Sequence, residues 1–319
     1  MPQTFSPYRT KTVRTLVPPA PAPQDGHETR AGHGPGREGD RVILVTGATG
    51  NVGAELVGAL AEAGRPVRAL SRTGRTDGLP SGAAGVEAVA GDLNRPKTVR
   101  DALDGVTALF LMPGYGGQRQ VLADARDAGV ERVVLLSGKS AGTGDTANAV
   151  AGYLIDAETA VRESGLAWTC LRPTSFMSNA LQLADQIRKG DTVRVPFPDV
   201  YTTDIDPYDI AQAALSALLS DEFAGRALEL TGPEALLPAD RVRVLGEVLG
   251  RDLRAVGLTH EETRAELEAR MPTPYVDAFF AFFVDGTLDE SVVLRTVQEV
   301  TGRAPRAFAD WARAHADAF

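Results

Sequence analysis

Gly47, Gly50 and Gly53 stand at three-residue spacing in "VILVTGATGNVGAELVGALAEAG", behind an apolar strand pattern and ahead of a helix face of Val52, Leu56, Leu60 and Ala63. Glycine permits positive φ and close backbone approach, and a helix start adds partial positive charge, so backbone N–H groups there can receive phosphate oxygens. The turn therefore reads as a cradle for a dinucleotide pyrophosphate. Thr49, Asn51 and Val52 share the loop, and Gly53 lets the helix pack closely on the strand. Roughly twenty residues on, where a carboxylate would grip a ribose 2′-hydroxyl, the chain has "LSRTGRT". Ser71 and Arg72 offer a hydroxyl and a guanidinium suited to a 2′-phosphate, with Arg75 as a second contact, so NADP(H) is expected rather than NAD(H).

Ligands of open α/β sheets lie outside the carboxyl ends of the strands, which brings in three further strand exits. "GDLNRP" puts Asp92 and Leu93 near the adenine end, and "FLMPG" puts Met112, Pro113 and Gly114 along the ribose side. Asp92 reads equally well as the cap of a helix starting near Pro96. In "LLSGKSA", Ser137 and Lys139 are the candidate catalytic pair. Lys139 is able to polarise a carbonyl or bind ribose, with a solvated loop lysine as the equal alternative. His260 and His315 sit among charged residues on helical stretches and read as surface positions. No metal-ligand spacing occurs, and "PTSF" lacks the glycines of a nucleophile elbow. Cys170, the single cysteine, lies in "LAWTCLRP" as a buried strand thiol.

The elements that must position these residues follow from pattern. From Arg41 onward "RVILVT", "RPVRALS", "VEAVAG", "VTALFLM", "RVVLLSG" and "LAWTCLRP" alternate with helix candidates starting near Asn51, Pro96, Gly117 and Ala147. Such alternation predicts an α/β fold, a Rossmann-type doubly wound parallel sheet of six strands, spanning residues 41–175 as the NADP(H)-binding domain. Residues 176–319 are expected to form a smaller, mostly helical substrate-side lobe interleaved with the last sheet strands, including "RALELTG". "YVDAFFAFFVDG" should roof that side: Tyr275, Phe279, Phe280, Phe282 and Phe283 exceed one buried stripe, so core packing, an apolar pocket and a dimer face all stand open. Residues 1–40 hold seven of the twenty prolines without apolar periodicity and read as a disordered leader.

With 319 residues and 43% hydrophobic composition the chain can bury a full core. A formal charge of −9 and the lack of any basic block argue against a nucleic-acid partner. No apolar run is long enough to span a bilayer and no signal-peptide pattern opens the chain, so a cytoplasmic protein with no membrane partner and a small-molecule substrate is expected, with a homodimer as an alternative assembly.

"VTGATGNVG", "GDL", "LSGKSA", "AETAVRESGLAWTCLRPTSFMSN", "DPYDIAQAALSALL" and "VTGRAPRAFADWARAHADAF" together resemble the NmrA-like branch of the atypical short-chain dehydrogenase/reductases, in order and over nearly all of 41–319. The resemblance implies a Rossmann domain with a small helical lobe, NADP(H) as cofactor, and a nicotinamide pocket lined by Pro173, Thr174, Phe176 and Asn179. One departure matters. Short-chain reductases place a Tyr and, four residues later, a Lys on the helix after the fifth strand as proton donor and supporting cation. Aligning Glu158 with the glutamate that follows that lysine puts Leu154 and Val150 in the two slots, and Tyr153 points about 100° away. The expected function is an NADPH-dependent oxidoreductase acting on a small apolar conjugated, quinone-like or carbonyl substrate. The alternatives are a non-catalytic NADP(H) sensor and a non-redox cyclase or isomerase on the same fold.

Overall fold

A computed structural model describes residues 41–75 and 85–319; the expected leader lies outside the described residues. Seven parallel strands form the main sheet: β1 (Val42–Thr46), β2 (Val67–Ser71), β3 (Val86–Ala90), β4 (Val106–Leu111), β5 (Arg132–Leu136), β6 (Ala167–Pro173) and, after the short β7 (Thr192–Val195), β8 (Arg226–Leu230). Their order is β3-β2-β1-β4-β5-β6-β8. The central strands are continuous apolar runs because helices cover both faces. Ile43, Val45, Phe110 and Val134 face α1 (Asn51–Glu62) and α5 (Pro207–Leu219), whereas Leu44, Leu109, Leu111 and Leu135 face α2 (Gln118–Asp127) and α3 (Ala149–Arg162).

The Rossmann-type architecture expected from the alternation is present, with one strand more than the six counted N-terminal to Pro173. α5 and β8, both in the expected substrate-side part, belong to the sheet layers, and β8 pairs with β6 from Thr169↔Arg226 to Pro173↔Leu230. Cys170 is fully buried on β6, and burial pushes its thiol up to about 12, which leaves it inert at neutral pH.

The helix expected near Pro96 is instead two short 3₁₀ turns, Pro96–Thr98 and Arg100–Leu103. Thr98 is the physical reason: its hydroxyl donates to the Arg95 carbonyl at 2.8 Å and accepts from the Asp92 N–H at 2.9 Å, a local alternative to helical pairing.

The remainder is helical apart from β9 (Arg254–Gly257), which pairs with β7 in a separate parallel ribbon. α4 (Ala184–Lys189), α6 (Pro238–Leu249), α7 (His260–Glu268), α8 (Thr273–Phe283), α9 (Thr296–Thr301) and α10 (Phe308–Ala314) complete it. Its own core gathers Met177, Ile187, Val193, Leu245, Phe308 and Trp311. His315 is half-buried rather than fully exposed, stacked on Trp311 at 4.6 Å between ring centres.

Candidate dinucleotide and substrate site

The glycine turn leaves β1 with Gly47 at φ +64°, and the Gly50 N–H closes it on the Gly47 carbonyl at 2.9 Å. A Cβ on Gly53 would stand 2.2 Å from that carbonyl oxygen, so only glycine permits the approach of α1 to the turn. α1 starts without a side-chain cap and without an acidic residue in its first turn, which leaves its N-terminal field available to an anion. Thr49 and Asn51 are exposed beside it, while Val52 buries its side chain in the core and presents only backbone. Thr46 Oγ1 donates to the Phe110 carbonyl at 3.0 Å and accepts from the Met112 N–H at 2.9 Å, seating Met112 where a Gly47 side chain would stand. A dinucleotide pyrophosphate fits this cradle, whose shape depends on the close contact between α1 and the turn that Gly53 permits.

At the β2 exit Ser71 is half-buried, its hydroxyl 3.5 Å from the Arg75 carbonyl; Arg72 is exposed and makes no hydrogen bond or ion pair among the described residues. At the β3 exit Asp92 turns its carboxylate onto the Asn94 N–H at 3.0 Å, so it caps its own loop. Leu93 departs from the expectation. Its side chain is 5% exposed and packs in the core, leaving only its backbone toward the crevice. Pro113 and Gly114 leave β4 half-buried, with Gly114 at φ +82° and the Tyr153 ring beside it.

Val150 and Leu154 are buried apolar residues in the slots of the usual diad. Tyr153 packs among Ala141, Ala278 and Phe282, and burial with Tyr275 nearby pushes its phenol up to about 12. Ser137 is corrected as a catalytic candidate: it is buried, and its hydroxyl donates to Glu158 Oε1 at 2.6 Å. Glu158 also accepts from Arg172 Nε at 2.8 Å and Nη2 at 2.7 Å and from Arg162 Nη2 at 2.5 Å. Burial disfavours its charge, but the Arg172 and Ser137 hydrogen bonds outweigh that and hold its carboxyl below the usual range. Lys139, half-buried in the 3₁₀ turn after β5, lies near enough to Asp289 and Glu290 to favour their ionised forms.

On the lobe side a cleft of about 250 Å³ opens above the β6 exit. Ser175, Asn179 and Thr202 line its polar wall; Phe197, Phe279 and Phe283 line its apolar wall. The α8 aromatics thus divide. Phe282 is buried, Phe279 and Phe283 face the cleft, and Phe280 packs on Phe197 at 5.4 Å and takes the Arg264 guanidinium over its ring at 4.4 Å. Phe197 is the one non-glycine residue at positive φ, +46°, among the described residues, a strained geometry that turns its ring toward Phe283 at 5.2 Å. Of the expected nicotinamide-pocket residues, Asn179 reaches the cleft, Thr174 is buried with its hydroxyl on the Thr203 carbonyl, Pro173 is buried, and Phe176 is half-buried. Asn51 Nδ2 donates to Ser178 Oγ at 3.0 Å, joining the start of α1 to this segment.

Sequence reasoning missed Glu290, Asp204 and Arg241. Glu290 is 7% exposed and accepts from the Ser175 hydroxyl at 2.8 Å; Arg241 binds Asp204 and Thr202. Burial first, and Asp204 second among the causes that raise it, push the Glu290 carboxyl up to about 7; burial pushes Asp209, in the first turn of α5, up to about 6. Both groups favour the folded state when protonated. Their contribution is complete below the unfolded values of 4.5 and 3.8 and is lost as pH rises through about 6 and 7. Glu158 acts oppositely, below about pH 4.5. Thermal unfolding should therefore be hardest near pH 5 and ease toward pH 8, by on the order of 3 kcal/mol from Glu290 and on the order of 1 kcal/mol from Asp209, part of whose contribution is already lost at pH 5. A midpoint that rises from pH 5 to pH 8 would refute both assignments.

Residues 47–221 match the NAD(P)H-binding family. The chain is 40% identical over 282 residues to the (4-alkanoyl-5-oxo-2,5-dihydrofuran-3-yl)methyl phosphate reductase of Streptomyces griseus, covering 87% of this chain and 99% of that one. It is 36% identical over 285 residues to the NAD(P)H azoreductase of Xenophilus azovorans, again covering 87% and 99%. The crystal structure of NmrA, a negative transcriptional regulator, superposes with a TM-score of 0.67 at 18% identity, covering 86% of this chain and 94% of that one, and shares the fold. The glycine turn, the sheet order and these relatives agree: the chain belongs to the NAD(P)H-binding family and is an oxidoreductase of that family.

Proposed function

We propose that the protein uses NADPH to reduce a small, apolar, conjugated acceptor, an enone, butenolide or quinone-like compound. The observation that carries this reading is the Asn51–Ser178 bond. It ties an uncapped, glycine-built anion cradle to the segment after β6 whose Ser175 and Asn179 line the aromatic cleft, so that the reactive end of a dinucleotide and a flat acceptor would share one wall. Gly47, Thr49, Gly50, Asn51 and Gly53 would hold the pyrophosphate, and Ser71 with Arg72 the 2′-phosphate. Met112, Pro113, Lys139, Pro173 and Phe176 would flank the ribose and nicotinamide. When bound, the cofactor supplies a hydride. The chain excludes water with Phe197, Phe279 and Phe283, whose planar faces suit a conjugated ring. Reduction by two curated relatives of an unsaturated furanone phosphate and of azo compounds supports the same class. Arg270 at the cleft, without an acidic partner among the described residues, is placed for an anionic substituent on that acceptor. The reading also places the protein in the cytoplasm, where NADPH is kept reduced, acting on small molecules rather than nucleic acid.

Calorimetric titration with NADPH and NADH, followed by NADPH oxidation against butenolide, enone, quinone and azo acceptors, tests it. NADPH should bind at least tenfold more tightly than NADH. Arg72→Ala should erase that preference by weakening NADPH alone, since the guanidinium meets only the 2′-phosphate. Tight NADPH binding with no turnover on any acceptor would refute the reductase reading and favour a dinucleotide sensor.

A further inference from the structure

This inference rests on the reductase reading: a conjugated acceptor that takes up a hydride must also take up a proton, and the positions of the usual donor and its supporting cation hold Val150 and Leu154. Tyr153, Lys139 and Ser175 are the nearby groups with a proton to give. Of these only Ser175 lines the cleft; of the other two hydroxyls there, Thr202 donates to Asp204 Oδ1 at 2.7 Å and Thr263 is buried. It follows β6 by two residues, and its main chain is held on both sides: its N–H donates to Glu290 Oε2 at 3.3 Å, and its carbonyl accepts from the Ile205 N–H at 2.8 Å. Its hydroxyl donates to the same Oε2 at 2.8 Å. Glu290 is held in turn, since its backbone carbonyl accepts from the Thr203 N–H at 2.8 Å and the Thr203 hydroxyl at 2.9 Å. Three residues beyond Ser175, Ser178 carries the bond to Asn51, so the pair and the dinucleotide crevice belong to one connected wall.

The geometry assigns Ser175 Oγ as the catalytic residue that delivers the proton to the reduced acceptor, with Glu290 as the positioning residue that resupplies it. The acceptor's C=C–C=O gains a hydride at its β-carbon, two electrons with one proton, from the reduced nicotinamide, and its π pair moves to give an enolate. The enolate α-carbon then forms a C–H bond with the Ser175 proton as the Oγ–H bond breaks. With Glu290 protonated the 2.8 Å contact runs the other way, from the carboxyl O–H to Oγ, which frees the Ser175 proton for the acceptor; in the same concerted transfer Oγ takes that carboxyl proton, and water reprotonates the carboxylate afterwards. The acceptor has gained two hydrogens and the nicotinamide is oxidised.

Two charged groups act on Glu290. Asp204, paired with Arg241 of α6, disfavours its charge; Lys139, from the turn after β5, favours it; Asp289 adjoins it in sequence. The balance leaves the carboxyl able to give a proton near neutrality, whereas Tyr153 is held at about 12.

Full-length wild type, Ser175→Ala, Ser175→Thr and Glu290→Gln are compared with NADPH and an alkanoyl butenolide. Ser175→Ala should lower kcat by about 100-fold, in the range of general-acid catalysis, with both KM values within twofold, and Ser175→Thr should restore most of it. Glu290→Gln should remove the fall of kcat above pH 7. Infrared titration of the protein alone supplies a readout independent of turnover: a protonated-carboxyl component should disappear with a midpoint near 7 and be missing in Glu290→Gln, while the Asp209 component near 6 stays. A kcat in Ser175→Ala within threefold of wild type, or an unchanged band in Glu290→Gln, overturns the proposal. Wild type that reduces no acceptor overturns the reductase reading, while the infrared titration still decides whether Glu290 holds a transferable proton.

Discussion

Glu158→Ala is expected to lower the unfolding free energy by about 3–5 kcal/mol, because it removes one side of a buried ion network and leaves its cations behind. Glu158 is 1% exposed, and the Arg172 and Arg162 side chains that bind it are 17% and 37% exposed, so Arg172 in particular would lose its charge partner where water cannot replace it. The Ser137 hydroxyl would lose its acceptor as well. The network joins α3 to the carboxyl ends of β5 and β6, and its loss should also loosen the wall that follows β6. Glu158→Gln keeps the shape and one acceptor and should cost less than half as much. Urea unfolding measures both variants. A loss under 1 kcal/mol in Glu158→Ala would mean that solvent reaches the arginines.

Gly53→Ala should weaken NADPH binding at least 100-fold and cost about 1–3 kcal/mol of stability, the range seen for overpacking. The added Cβ would meet the Gly47 carbonyl oxygen at 2.2 Å, the Gly47 carbonyl carbon at 2.8 Å and the Ala48 Cα at 3.0 Å. All three are backbone atoms, so no side-chain rotation relieves the clash, and α1 must move off the turn that orients its N-terminus. Gly50→Ala is the internal comparison. Its Cβ would meet the same oxygen at 3.2 Å, so a shift of a few tenths of an ångström accommodates it, and its effect should be several-fold smaller. Equal losses for the two variants in a calorimetric titration would show that the glycines act through chain flexibility rather than contact.

What could be read from sequence, and what could not, divides by range. β1 to β6 and the glycine turn were legible because each rests on a local pattern: apolar runs for doubly covered strands, and glycines where backbone meets backbone. The lack of a carboxylate at the β2 exit was legible for the same reason. The Pro96 segment misled because Thr98 satisfies nearby backbone groups with its hydroxyl, a detail that periodicity does not register. Leu93 and Ser137 were placed at the right strand exits, but a side chain at a strand exit points either to the crevice or to the layer beneath, and these two point beneath. β9 has four residues within a helical region, too short for a pattern to show. Glu290 had no local signal at all. Its role comes from contact with Ser175, 115 positions earlier in the chain, in a segment that reads as an ordinary polar loop.

The return of β8 to the edge of β6 has a consequence for how this fold can be rearranged. The chain leaves the sheet after Pro173, builds the 174–183 wall and α5, and only then supplies the strand that pairs with Thr169 to Pro173. Dividing the gene at residue 175 would therefore leave β6 as a bare edge with its backbone groups open to another chain, and the remaining piece would carry a strand with no sheet. A new lobe could be grafted onto this sheet only together with its own returning strand.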